Sequence, residues 1–260
     1  MSTEAVYLMK DGAAAHLVLN KPDKKNALSE AMWRAIPKLL SDAEADAAVR
    51  LLIVRGAGGA FAAGADISEF EEVYSTAERA AEYSRAVAAA LDGLAAFPRP
   101  TLAAVDGACV GGGCGIALAC DLRFAAHGSK FGITPGKLGL VYTLNDTRRL
   151  IDAVGVSAAK DILFTGRILS ADEALSLGLI DRLTGRDALM DEARAFCDQV
   201  AGASAVSARI TKQIIARIQA GQAEDDAETR KLFLDAFQGE DFQEGYRAFL
   251  AKRKPEFKGR

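Results

Sequence analysis

The sequence predicts an α/β fold that ends in a helical region, and three observations carry that expectation. A continuous aliphatic strand running into a glycine-rich loop and then a helix occurs twice, at Leu51 and at Thr101. Apolar runs of strand length alternate with helically spaced ones over residues 1–200. Between Ser204 and Lys252 no strand signal occurs.

Residues 6–9 and 15–19 read as short strands around Asp11-Gly12, a hairpin dipeptide. Lys21-Pro22-Asp23 breaks the pattern. Ser29 then caps a helix in which Met32, Trp33, Ile36, Leu39 and Leu40 recur at helical spacing. Residues 51–54 are a strand covered on both faces, and a Gly/Ala-rich loop occupies 56–64. The stretch 67–76 reads as loop, and an alanine-rich helix over about 76–97 stops at Pro98 and Pro100. Residues 101–105 form the next buried strand, 107–115 the second glycine loop, 116–120 a short apolar helix and 122–125 another strand. From Asp146 onward the signals are helical. Asp146 or Thr147 caps one helix, Ser157 a second, and Ser170-Ala171-Asp172-Glu173 is a capping box for a third.

In residues 201–260 the apolar positions Leu232, Phe233, Ala236 and Phe237, then Phe242, Tyr246, Phe249 and Leu250, form amphipathic stripes. So many aromatics outside the α/β body need a partner surface, either the chain's own core or another subunit; the second is the expectation. The sequence divides accordingly into a core, 1–200, and a helical oligomerisation region, 201–260.

A net charge of −3 gives no electrostatic reason to seek nucleic acid. No basic, apolar leader opens the sequence, and no apolar run is long enough to span a bilayer, so a cytoplasmic enzyme is expected. Cys109, Cys114, Cys120 and Cys197 lack C-x-x-C spacing and come with only two histidines, so buried reduced thiols are expected rather than a metal site.

Gly56-Ala57-Gly58-Gly59-Ala60-Phe61 follows a strand as a dinucleotide-binding turn would, but Phe61 stands in place of the third glycine and no helix opens there. No P-loop or G-x-S-x-G elbow occurs, and His16 and His127 have no nucleophile beside them. The chemical signal lies in Phe61-Ala62-Ala63-Gly64-Ala65-Asp66-Ile67 and Gly111-Gly112-Gly113-Cys114-Gly115, one after each buried strand. Small residues let a ligand approach the main chain, and the second loop leads into a helix start, where unpaired N–H groups favour negative charge. Two such donors meeting at one point would form an oxyanion hole.

These residues resemble the crotonase (enoyl-CoA hydratase/isomerase) superfamily. The likeness continues through Leu19-Asn20-Lys21-Pro22, Lys25-Asn26-Ala27-Leu28, Val105-Asp106-Gly107, Cys120-Asp121-Leu122-Arg123, Phe131-Gly132, Leu163-Phe164-Thr165-Gly166 and Gly178-Leu179-Ile180, in family order. The resemblance implies a spiral of ββα turns with a C-terminal helical region forming trimers, often paired into hexamers. It implies an acyl-CoA substrate of the kind handled in fatty acid metabolism, with coenzyme A as part of that substrate and no separate cofactor. By position, the N–H groups of Ala65 and Gly112 would hold the thioester oxygen. Lys25, Ala27, Ala63, Asp66 and Ile67 would line the coenzyme arm, and the basic tail, Lys258 included, could reach its phosphates from a neighbouring subunit.

The two glutamates of the family's hydratases fall at Gly115 and at Gly136, after Pro135. Glycine transfers no proton, so ordinary syn-hydration is unsupported. Asp146, with Tyr142 or Asn145 orienting it, is the candidate replacement acid–base group; its alternative role is helix N-cap. Asp66 and Glu69 are further candidates. Decarboxylation, isomerisation, hydrolysis and acyl-CoA binding without turnover stand as alternative functions.

Overall fold

The computed structural model describes residues 4–258. The chain opens with a hairpin of β1 (Val6–Asp11) and β2 (Ala14–Leu19), turned at Gly12 with a φ of 60°. Helix α1 (Glu30–Ala45) follows, its first turn held by the Ser29 hydroxyl accepting from the Met32 N–H. It buries Met32, Trp33, Ile36 and Leu40 of the expected apolar stripe, with Ala43 added, while Leu39 is half-buried. Strand β3 (Leu51–Gly56) leads through the first glycine loop to the one-turn helix α2 (Phe70–Val73), inside the segment expected to be loop. Helix α3 (Ala77–Ala95), capped by Thr76, lies across α1.

Strand β4 (Thr101–Val105) runs into β5 (Ala108–Val110) and helix α4 (Gly112–Ala119). This helix begins four residues before the expected 116. Glycines are poor helix formers, but Gly111, at φ 51°, turns the chain, and burial of Cys114, Ile116, Ala117 and Leu118 holds the turn that propensity disfavours. Strands β6 (Leu122–Ala126) and β7 (Lys130–Gly132) repeat the strand pair before helix α5 (Leu144–Thr165). The N-cap of α5 is Thr143 rather than Asp146 or Thr147. Ser157 caps nothing, because the break that opens the second half of the helix falls at Gly155 (φ 75°, ψ 165°).

Strand β8 (Ile168–Ser170), helix α6 (Ala171–Ser176), strand β9 (Arg182–Thr184) and helix α7 (Leu189–Ala201) complete the body. Ser170 caps α6 through the Glu173 N–H as expected. The Glu173 carboxylate turns to Arg167 instead of closing a capping box. Helices α8 (Ala205–Gln219), α9 (Ala227–Gln238) and α10 (Glu240–Leu250) form the C-terminal region, without strands as the sequence indicated.

The larger sheet has the order β1-β2-β3-β4-β6-β9, parallel except for the opening hairpin; the smaller has the order β5-β7-β8. Successive segments β4-β5-α4 and β6-β7-α5 thus step from one sheet to the other and then to a helix, which is the spiral of ββα turns expected. Strands β2 and β4 and the first four residues of β3 are buried throughout. One face packs on α1, α3, α4 and α5, and the other on Leu189, Ala193 and Cys197 of α7. Each fully buried Leu or Phe contributes about 1.5–3 kcal/mol relative to exposure, so these two layers fix the strand ends from which the glycine loops depart.

Candidate active site

The two glycine loops leave the carboxyl ends of β3 and β5 and are laced together by main-chain bonds. The Ala62 N–H donates to the Ala108 carbonyl and the Val110 N–H to the Ala62 carbonyl, each at 2.9 Å. Gly64, at φ 103°, lets the chains touch: a Cβ there would stand 3.1 Å from the Val110 carbonyl oxygen. The first loop is also braced from below. Leu28 N–H donates to the Gly64 carbonyl at 2.7 Å, and the Asp66 N–H to the Leu28 carbonyl at 2.9 Å. That bridge uses the groups on either side of Ala65 and leaves the Ala65 N–H outside it. Gly112 is the first residue of α4, where no intrahelical acceptor exists. Neither N–H finds a main-chain acceptor among the described residues.

Ala65 and Gly112 line one cavity of about 330 Å³, with Trp33, Tyr83, Tyr142 and Asp146 among its other walls. Ala63 and Ile67 line it too, so five of the expected site residues, with Asp146 as a sixth, converge here. Gly115 also faces this cavity, whereas Gly136 sits in a 3₁₀ turn outside its lining. Asp146 is the only carboxylate among the described residues lining the space. One Asp146 oxygen accepts from Arg149 at 2.9 Å and the other from the Thr143 hydroxyl at 2.7 Å. Neither expected partner orients it: the Tyr142 hydroxyl donates to the Gly111 carbonyl at 2.7 Å, and the Asn145 amide reaches Asp92 at 3.3 Å. Burial raises the Tyr142 and Tyr83 hydroxyls, the latter to about 12, so both remain donors at neutral pH.

Lys25 and Ala27 lie on the loop before α1, Lys25 exposed in a left-handed conformation (φ 50°) with its carbonyl accepting from the Ala63 N–H at 2.9 Å. Asp66 is buried and caps the short turn after it. Lys21 at 2.6 Å, the Ser68 hydroxyl at 2.6 Å and Lys24 at 2.9 Å hold its carboxyl well below the usual range, with Lys21 first among them. Glu69 accepts from the Glu30 N–H at 2.7 Å and braces α1. Lys258 lies exposed in the segment after α10, away from the cavity lining.

Two contributors escaped the sequence reading. Asn26, fully buried at φ 56°, joins the loop before α1 to the first glycine loop by donating to the carbonyls of Ala57 and Ala60 at 2.8 and 2.7 Å. Its signal was an Asn between Lys25 and Ala27, the residue type that, after glycine, best tolerates a left-handed turn. Trp33, assigned to the core by its spacing, is buried and also walls the cavity.

The sequence matches the enoyl-CoA hydratase/isomerase family model over residues 10–260. The chain belongs to this family. A solved structure from Hyphomonas neptunium assigned to the enoyl-CoA hydratase/isomerase family superposes with a TM-score of 0.97 at 50% identity, over 99% of both chains. An enoyl-CoA hydratase/carnithine racemase from Magnetospirillum magneticum gives 0.95 at 37% identity, covering 100% of this chain and 97% of that one. The short-chain-enoyl-CoA hydratase of Clostridium acetobutylicum is 33% identical over the full length of both chains. The chain is thus an enzyme of the enoyl-CoA hydratase/isomerase family with a crotonase fold. Among the described residues no helix is long and apolar enough to cross a membrane, and no group of three or more His, Cys, Asp or Glu could hold a metal ion.

Proposed function

We propose that this enoyl-CoA hydratase/isomerase family enzyme acts on an acyl-CoA thioester whose carbonyl oxygen is received by the N–H groups of Ala65 and Gly112. The observation that carries this reading is two unclaimed main-chain donors, from two loops tied to each other, on one cavity. Removing an α-proton, adding a nucleophile at Cβ or losing CO₂ each moves negative charge onto that oxygen as an enolate. A preorganised donor aimed at developing charge contributes roughly 10²–10³ in rate. Lys25, Ala27, Ala63 and Ile67 would follow the coenzyme arm. Asp66 would act by holding Lys21 and Lys24 in place beside it. Lys258 would serve a neighbouring subunit's coenzyme, with α9 and α10 making a trimer.

Hydration needs an acid–base group, and glycine at 115 and 136 supplies none. Asp146 is the remaining carboxylate on the wall, so it either activates water or leaves the site to a reaction that needs no protein base. Decarboxylation is such a reaction, and the single, already engaged carboxylate of this cavity favours it as the second reading. The deciding experiment follows crotonyl-CoA hydration by wild type and Asp146→Asn. Because Thr143 is the cap, the substitution leaves the helix start intact. Hydration that falls at least about 100-fold in the variant makes Asp146 the acid–base group. Equal hydration in both removes Asp146 from the mechanism. No hydration by wild type, with crotonyl-CoA still bound, rules out the hydratase reading and directs the search to decarboxylation and isomerisation.

A further inference from the structure

The Tyr142 hydroxyl lies on the far side of the peptide that presents the Gly112 N–H. It donates at 2.7 Å to the Gly111 carbonyl, which also accepts from the Gly115 N–H at 3.0 Å. In a trans peptide the carbonyl of one residue and the N–H of the next point in opposite directions. Fixing the Gly111 oxygen toward Tyr142 and the helix body therefore fixes the Gly112 N–H toward the cavity.

That orientation needs fixing. Gly111 (φ 51°, ψ −117°) and Gly112 flank the peptide, and a Gly-Gly link has little intrinsic resistance to rotation. A flipped peptide would turn a carbonyl oxygen toward the substrate oxygen and replace attraction by repulsion. One end is tethered by the Gly111 N–H, which donates to the Gly132 carbonyl at 2.7 Å. On the other side the carbonyl has the first helical bond of α4 and the phenol of Tyr142. A donor on an amide oxygen also polarises that amide and strengthens its N–H, by roughly 10–30% per bond in a low-dielectric setting.

We infer that Tyr142 is a positioning residue: its hydroxyl, bonded to the Gly111 carbonyl, orients and polarises the Gly111–Gly112 peptide so that the Gly112 N–H is held ready for developing charge. The inference rests on the reading that this N–H meets a thioester oxygen. Burial keeps the phenol protonated, so the donor persists over the working pH range. Tyr142 also lines the cavity, but its hydroxyl is committed to the Gly111 carbonyl, and the sequence neighbours Thr143 and Asp146 are occupied with each other at 2.7 Å.

The test uses the whole protein and butyryl-CoA labelled with carbon-13 at the thioester carbonyl, which has no double bond to hydrate. Isotope-edited infrared difference spectra read how far the bound carbonyl stretch falls below its value in water, and calorimetry reads affinity. Tyr142→Phe keeps the ring and removes the hydroxyl. The expected result is a smaller downshift in the variant, affinity within about threefold of wild type, and turnover of whichever thioester the wild type processes down about tenfold in kcat, a fraction of the loss from deleting a donor outright. A downshift equal to wild type overturns the inference. So does a variant that binds far more weakly with an unchanged carbonyl, because the hydroxyl would then touch the ligand directly. Wild type that binds butyryl-CoA without any downshift overturns the donor reading itself, and wild type that binds none overturns the acyl-CoA reading; in either case the role of Tyr142 falls with it. A variant that fails to fold is replaced by Tyr142→His, whose ring can still donate, and retention of the full downshift there supports the inference while its loss counts against it.

Discussion

His16 sits in the middle of β2, buried, with its Nδ1 lacking a partner among the described residues. Burial first, then Arg55, lowers its pKa below 6.5, and nearby Asp11 only partly offsets them. A histidine whose folded pKa is depressed stabilises the fold fully above the unfolded value. As pH drops through the window from 6.5 down to the folded value, the unfolded chain takes up a proton that the folded chain refuses, and stability is lost. Urea unfolding at about pH 7.5 and about pH 5.5 should therefore show wild type losing stability, by up to about 1.4 kcal/mol per pH unit, and His16→Leu losing less. Parallel slopes would mean that His16 is protonated inside the fold. At this scale the sequence was a fair guide where local chemistry decides. The two donor loops follow from small residues after strands, the family resemblance singles out Ala65 and Gly112 within them, and both line one cavity. The partners of Tyr142, Asn145 and Asp92 come from elements far apart in the chain, so no local pattern could assign them.

Between single residues and the whole, helix α4 is where propensity and packing disagree. Its first turn contains three glycines, which is why its start was placed at 116, yet it is helical from Gly112. Tertiary burial wins because the segment lies between α3, the sheet and α5. Gly115 is the informative position. A Cβ there would meet Leu91 Cδ1 of α3 at 3.4 Å, a contact that the tip of a leucine can relieve, and the side chain would point at the cavity. Gly115→Glu gains about 0.5–1 kcal/mol of helix propensity against that crowding and should fold. Restoring a carboxylate beside the Gly112 N–H should raise crotonyl-CoA hydration at least about tenfold in an absorbance assay, given that acid–base groups typically supply 10²–10⁴. Unchanged hydration with a normal melting curve would mean that a missing acid is not what limits this enzyme. Elements read well wherever periodicity was strong: the opening hairpin, β3, α3 and β4 all fall within two residues of expectation, and α1 starts directly after its expected Ser29 cap. The three-residue strands β5, β7, β8 and β9 were not foreseen, because so short a pairing exists only once its partner strand is in place.

Over the whole molecule, the C-terminal region presents apolar surface that its own core does not cover. Phe233, Phe237 and Phe249 are 67%, 53% and 83% exposed, while Phe237, Phe242 and Tyr246 stack along one another. Helix α8 is tied back to the body, Lys212 to Asp121 at 2.8 Å and the Arg50 side chain to the Ala203 carbonyl at 2.7 Å, so the uncovered surface belongs chiefly to α9 and α10. Isolated monomers seldom expose so much contiguous apolar area. Sedimentation at micromolar concentration should therefore find an oligomer, and Phe249→Asp should shift it toward monomer with a melting temperature that no longer rises with protein concentration. A wild type that sediments as a monomer would end this reading. The alternation of strand, glycine loop and helix made the α/β body legible from sequence alone. The helical stripes made the tail legible as an element, but a covering partner is a property of two chains.

The lacing of Ala62 to Ala108 and Val110 has a consequence for how this enzyme can change. Both candidate donors and the lacing bonds are main-chain groups, so a substitution removes one of them directly only by introducing proline, while the loops that carry them still depend on glycine at 64, 112 and 113 and on the Asn26 and Tyr142 side chains. Mutagenesis that spares those positions would reshape the walls and redistribute acids while leaving the candidate donor corner standing. Such a chain is a suitable parent for selecting new thioester activities, since the costliest part of the machinery is inherited by every member of the library.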